Sequence, residues 1–349
     1  MPECVIVITD LYLSPRELSS SAAAQEQPAL AALAHAARFG ERGSLAHGWR
    51  PWLARWLGRA DLAAASVAQV AAASVGEPLA AAVGATLWIA TPVELVAGLT
   101  RVHLDRRGIV RLTAAEQAAF AAAFGRTFAD AGLRLASLGD GQLLLRAAGL
   151  APVPTAEPAR CAGAELAVPQ GPAAAPLLRL MAEIEMWLHA EPLNEARRAR
   201  GAAPVTGLWL WGAAGAAVPP ADAPGTHGAP AAATAAFGAD AFLAGLCRLS
   251  GSASRALPVQ PGTLFSEPPA ERLALVLDLA GEPAAAEPWS LPAAMASLDR
   301  RVIAPAVAAL RRGALGRLTL IANDVCITLG RHSGLRRWRR ARSGLAAFA

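Results

Sequence analysis

A chain of 349 residues that is 54% hydrophobic and 17% charged carries enough apolar material for one large or two ordinary domains, and it excludes wholesale disorder. All 32 basic residues are arginine, and the net charge of +5 gathers toward the C-terminus, which leaves most of the surface near neutral. Cys4, Cys161, Cys247 and Cys326 are widely spaced and form no CxxC pair, so neither a zinc knuckle nor a disulfide framework is indicated and a reducing compartment fits.

The start has no basic n-region and no small-residue cleavage site, so the expected location is cytoplasmic. It runs at once into Cys4 to Thr9, a β-branched run ending at Asp10. That is the pattern of a buried parallel strand whose C-terminal end presents a polar residue, where open α/β sheets place their crevices. Pro28 to Arg38 reads as a helix with Leu30, Leu33 and Ala37 on one face. The apolar region from Leu79 to Leu99 is interrupted by Pro92 and Glu94, and reads as buried structure and not as a membrane span.

Between Thr86 and Arg146 the pattern predicts strands at Leu87 to Ala90, Arg101 to Leu104 and Ile109 to Leu112, then a helix from Ala114 to Ala131. Thr113 and Glu116 form a capping box for that helix. Strands at Leu133 to Ala136 and Gln142 to Arg146 complete a small inserted α+β module. After a Pro/Ala-rich linker come helices at Ala173 to Ala190 and Leu193 to Arg200, and a strand at Thr206 to Trp211 that is expected to return the chain to the core. A Gly/Pro/Ala-rich loop, a helix at Ala239 to Ser250, an apolar strand at Leu273 to Leu279, a helix at Leu291 to Arg312 and strands at Leu318 to Ala322 and Cys326 to Leu329 follow, before a basic tail.

The segment His189-Ala-Glu-Pro-Leu-Asn-Glu-Ala-Arg-Arg-Ala-Arg-Gly201, with Thr206-Gly-Leu-Trp-Leu-Trp-Gly212 after it, resembles a stretch of archaeal-type cofactor-independent phosphoglycerate mutases. Asn194, Arg197 and Arg198 there could bind a phosphate through charge-assisted hydrogen bonds; the plainer alternative is a solvated basic helix face. Further resemblances run in the same order: Ile8-Thr-Asp10 to the first-strand aspartate, Pro28 to Gly40 to the following helix, Arg101 to Arg146 to an inserted domain, and Phe237 to Gly251 to a later helix. The chain is also similar to a proteobacterial group of RpfE-type regulatory proteins. The resemblance implies an α/β fold with an alkaline-phosphatase-like core sheet flanked by helices. That core spans 1–84 and 166–349, with a small inserted α+β domain at 85–165 and a basic tail at 331–349.

The family's chemistry needs two divalent metals held by Asp and His, a Ser or Thr nucleophile and basic residues that orient the phosphate. Here the segment from Leu279 to Pro288 contains no histidine, and an expected Asp-His pair is Asp324-Val325. Ser66 stands at the place of the nucleophile as a vestige, without the acid that should follow it; the plainer alternative is an ordinary small polar helix residue. Asp10, Asp324 and His332 remain as candidates for a vestigial metal or anion site, against the plain reading of a strand-end aspartate, a turn aspartate and a surface histidine. The expectation is a degenerate mutase-like pseudoenzyme that regulates or binds a phosphorylated small molecule and needs no cofactor. The enzyme alternative is an active mutase or phosphatase using Mn or Zn. The third reading is a basic adaptor that meets an acidic protein or nucleic acid through Arg331 to Arg342, with Trp338 among the arginines.

Overall fold

The computed structural model describes residues 1–11, 30–76, 85–97, 102–162, 169–215, 218, 233–266, 268–279, 291–333 and 348. In chain order the first elements are β1 (Glu3–Thr9), α1 (Ala31–Phe39), β2 (Glu41–Ser44), α2 (Trp49–Trp56) and α3 (Val67–Ser74). Next come β3 (Ala85–Ala97), β4 (Val102–Ile109), α4 (Ala114–Phe128), β5 (Leu133–Ser137) and β6 (Leu143–Ala148). They are followed by α5 (Ala174–Ala190), α6 (Pro192–Ala199), β7 (Gly207–Trp211), β8 (Thr234–Phe237), α7 (Ala241–Leu249) and β9 (Ser254–Arg255). The last are β10 (Arg272–Asp278), α8 (Leu291–Leu298), α9 (Ala304–Arg312), β11 (Arg317–Ala322) and β12 (Val325–Gly330). Two units result, one of Met1–Ala63, His227–Leu243 and Ala253–Ala349, the other of Ala64–Thr226 and Ala244–Ser252.

The first unit holds a seven-stranded sheet in the order β2-β12-β11-β1-β10-β8-β9. Its centre is parallel: β1 pairs β10 with Cys4 opposite Leu273, and β11 with Cys4 opposite Leu318. Cys4 to Ile8 and Leu273 to Leu277 are buried without alternation, because a central parallel strand is covered on both faces. The expectation that these two runs share one sheet is met. The apolar cluster around them takes in Ile6, Leu33, Leu275, Val302, Leu320 and Phe348.

Helix α1 shows how this unit closes. Its N-cap position is Leu30, which offers no side-chain cap. The orphan N–H groups instead find Asp299, which sits in a π-helical turn (Asp299–Ile303) between α8 and α9; the helix expected from Leu291 to Arg312 is continuous, with that turn inside it. Asp299 accepts from Ala32 N at 3.1 Å and from Leu33 N at 2.7 Å. Burial pushes its carboxyl pKa up, against the pull of those two hydrogen bonds. Replacing Asp299 by alanine is expected to cost about 2 kcal/mol, since two helix-end donors lose their only cap. Urea unfolding of the variant checks this, and a loss below about 0.5 kcal/mol would contradict the capping role.

The second unit holds a sheet in the order β4-β3-β6-β5, with β7 also paired to β3. Strand β3 is long because it continues through Pro92, which has no N–H to offer; the Pro92 carbonyl accepts from Val110 N at 2.9 Å. Strand β4 covers Val102 to Leu104 of the first expected strand and runs on to Ile109, whereas Val110 to Leu112, expected as strand, lie beyond its end. The capping box on α4 is present in both directions, Thr113 to Glu116 and back. Strand β7 differs from expectation: it lies against β3, with Trp209 opposite Thr91 and Trp211 opposite Ile89, and does not join the seven-stranded sheet. Its Leu/Trp pattern required burial on both faces and said nothing about which strand would supply the ladder. The second unit takes in Ala64–Thr226 and Ala244–Ser252. Among the described residues no helix is long and apolar enough to cross a membrane.

Candidate functional site

The carboxyl ends of the parallel strands bring together the residues that the first strand and the last hairpin supply. In the parallel register Ile8 faces Ala322 and Thr9 faces Asp278, so Asp10, Asp278 and Asp324 all lie at the same end of the sheet. Asp10 has φ 61 and Asn323 has φ 56, a left-handed conformation that Asp and Asn tolerate better than other side chains. At Asn323 it lets β11 reverse into β12 through two residues, Asn323 and Asp324. Asn323 is 9% exposed; its Nδ2 donates to Leu11 O at 2.7 Å, and its Oδ1 is buried with no hydrogen-bond partner. An orphan acceptor of this kind costs about 1–3 kcal/mol and suits a bound donor.

His332 is not part of this group. Strand β12 carries the chain from Asp324 at one end of the sheet to Gly330 opposite Arg317 at the other, six residues at roughly 3.4 Å each, or about 20 Å. The expected set of Asp10, Asp324 and His332 therefore does not converge, and among the described residues no three His, Cys, Asp or Glu side chains group so as to hold a metal ion. Among the described residues the donors do not make up the two-metal site that the resemblance implies. The histidine-free segment after Leu279 lies outside the described residues from 280 to 290.

Ser66 belongs to the other unit and serves as the N-cap of α3. Its hydroxyl donates to Gly212 O at 2.9 Å and accepts from Gln69 N at 3.3 Å, and the residue is 1% exposed. The 212–215 loop presses on it: a Cβ at Gly215 would come within 2.7 Å of Ser66 N. A nucleophile needs an approachable oxygen beside a base; this oxygen is enclosed and bonded to backbone, in the manner of a helix cap.

The basic segment is built more as scaffold than as ligand cradle. Asn194, 1% exposed, donates through Nδ2 to Leu188 O and Val205 O and accepts from Val205 N, each at 2.8 Å, which joins the end of α5 to the approach of β7. Arg197 is 5% exposed; its Nε donates to Ala203 O at 2.8 Å and its guanidinium pairs with Glu116 Oε1. Exposed Arg200 joins the same carboxylate at 2.8 Å, while Oε2 of Glu116 closes the capping box with Thr113. Burial opposes ionisation of Glu116, yet the Thr113 hydrogen bonds and the Arg197 charge hold its pKa below the ordinary value. Arg198 lies exposed on the outer side of α6. The two β7 tryptophans are buried and hydrogen-bonded, Trp209 to Ala156 O at 2.8 Å and Trp211 to Thr91 Oγ1 at 2.9 Å.

Asp278 and Asn323 escaped the sequence reading. The signal for Asp278 was the one used for Asp10, a polar residue closing a continuous apolar strand. For Asn323 it was an Asn-Asp pair between two short strands, the composition of a tight hairpin.

No protein-family model and no curated protein matches this chain. Among solved structures, a cofactor-independent phosphoglycerate mutase from Thermoplasma acidophilum DSM 1728 aligns over 100% of this chain and 95% of its own, at 15% identity and a TM-score of 0.40. The PH0037 protein from Pyrococcus horikoshii aligns over 94% of this chain and 87% of its own, at 15% identity and a TM-score of 0.46.

Proposed function

We propose that this chain is a degenerate relative of the cofactor-independent phosphoglycerate mutases, a cytoplasmic regulatory or anion-binding protein that does not carry out phosphoryl transfer. The observation that carries the reading is Ser66, whose hydroxyl is enclosed as a helix cap and hydrogen-bonded to Gly212 O. Val325 beside Asp324, and the distance of His332 from that end of the sheet, support it further. Phosphoryl transfer requires nucleophile, metals and leaving oxygen to be positioned together, so the loss of several parts removes the reaction and not a fraction of it. The carboxyl end of the sheet keeps features of a binding site: aspartates at three strand ends and the unsatisfied Oδ1 of Asn323. In the basic segment, Arg198 is the side chain left open to an anion, since Asn194 and Arg197 are committed to the protein.

The competing reading is an active mutase or phosphatase that uses Mn or Zn. Metal analysis of the purified protein, with assay of 2- and 3-phosphoglycerate interconversion in added manganese, separates the two. The expected result is no chelator-sensitive turnover, in the parent chain or in Val325→His. Two bound metals with turnover abolished by chelator would overturn the proposal, and turnover confined to Val325→His would show that one ligand was the whole defect.

A further inference from the structure

No further inference is drawn: the strongest candidate, the side-chain cluster of Asp10, Asp278 and Asp324 with the buried, unpartnered Oδ1 of Asn323 at the carboxyl end of the seven-stranded sheet, belongs to the site already described.

Discussion

Replacing Asn194 with alanine is expected to lower the unfolding free energy by about 3 kcal/mol, because one side chain satisfies three buried backbone groups and each bond contributes roughly 1 kcal/mol. The groups are Leu188 O at the end of α5, and both Val205 O and Val205 N before β7. No water can take over at a position 1% exposed without the cavity first opening. Asn194→Asp should be at least as damaging, since a carboxylate oxygen would then face two carbonyls that need a donor. Urea unfolding at constant m-value measures both. A variant that kept its stability to within about 0.5 kcal/mol while losing affinity for phosphate esters would return Asn194 to the ligand-binding role first expected of it.

The Arg197→Met variant is expected to lose about 3 kcal/mol as well, since it leaves the partly buried Glu116 without its closest cation. Glu116 also caps α4 through Thr113, so the loss spreads to a helix that Arg197 does not belong to. The pH dependence gives an independent reading. Glu116 has a folded pKa below its unfolded value, so its contribution is present above the unfolded pKa and disappears as pH falls through the folded one. The parent should therefore lose stability as the carboxylate range is entered from above, and Arg197→Met should show a shallower loss. In a double-mutant cycle with Glu116→Gln, the two changes should be clearly non-additive. Additivity within about 0.3 kcal/mol would mean that the pair contributes nothing as a pair.

Both predictions concern residues that the sequence offered for a phosphate and whose described contacts are with backbone and a carboxylate. Asn194 and Arg197 lie in the most distinctive polar stretch of the chain, and their chemistry suits phosphate equally well as backbone carbonyls and a carboxylate. What separated the uses was the position of Ala203, Val205 and Glu116, the last of them 81 residues away from Arg197. Ser66 is a similar case. Its cap is local, but the carbonyl that takes its proton comes from Gly212, 146 residues on, and no pattern around Ser66 announces it.

The sequence by itself determined the elements whose causes are local. The unbroken β-branched run at Cys4 to Thr9 had to be a strand buried on both faces, and it pairs in parallel with the equally unbroken run at Leu273 to Leu277. The Thr113 and Glu116 box had to start a helix, and α4 starts there. Only the tertiary structure decided where a strand found its ladder, which cap served which helix, and which end of a strand a side chain occupied. Strand β7 went to β3, α1 took its cap from Asp299, and His332 ended about 20 Å along β12 from Asp324. Burial and helix propensity are set by a residue and its near neighbours, whereas pairing, remote capping and ligand convergence depend on contacts between segments far apart in sequence, which a one-dimensional pattern constrains only in kind.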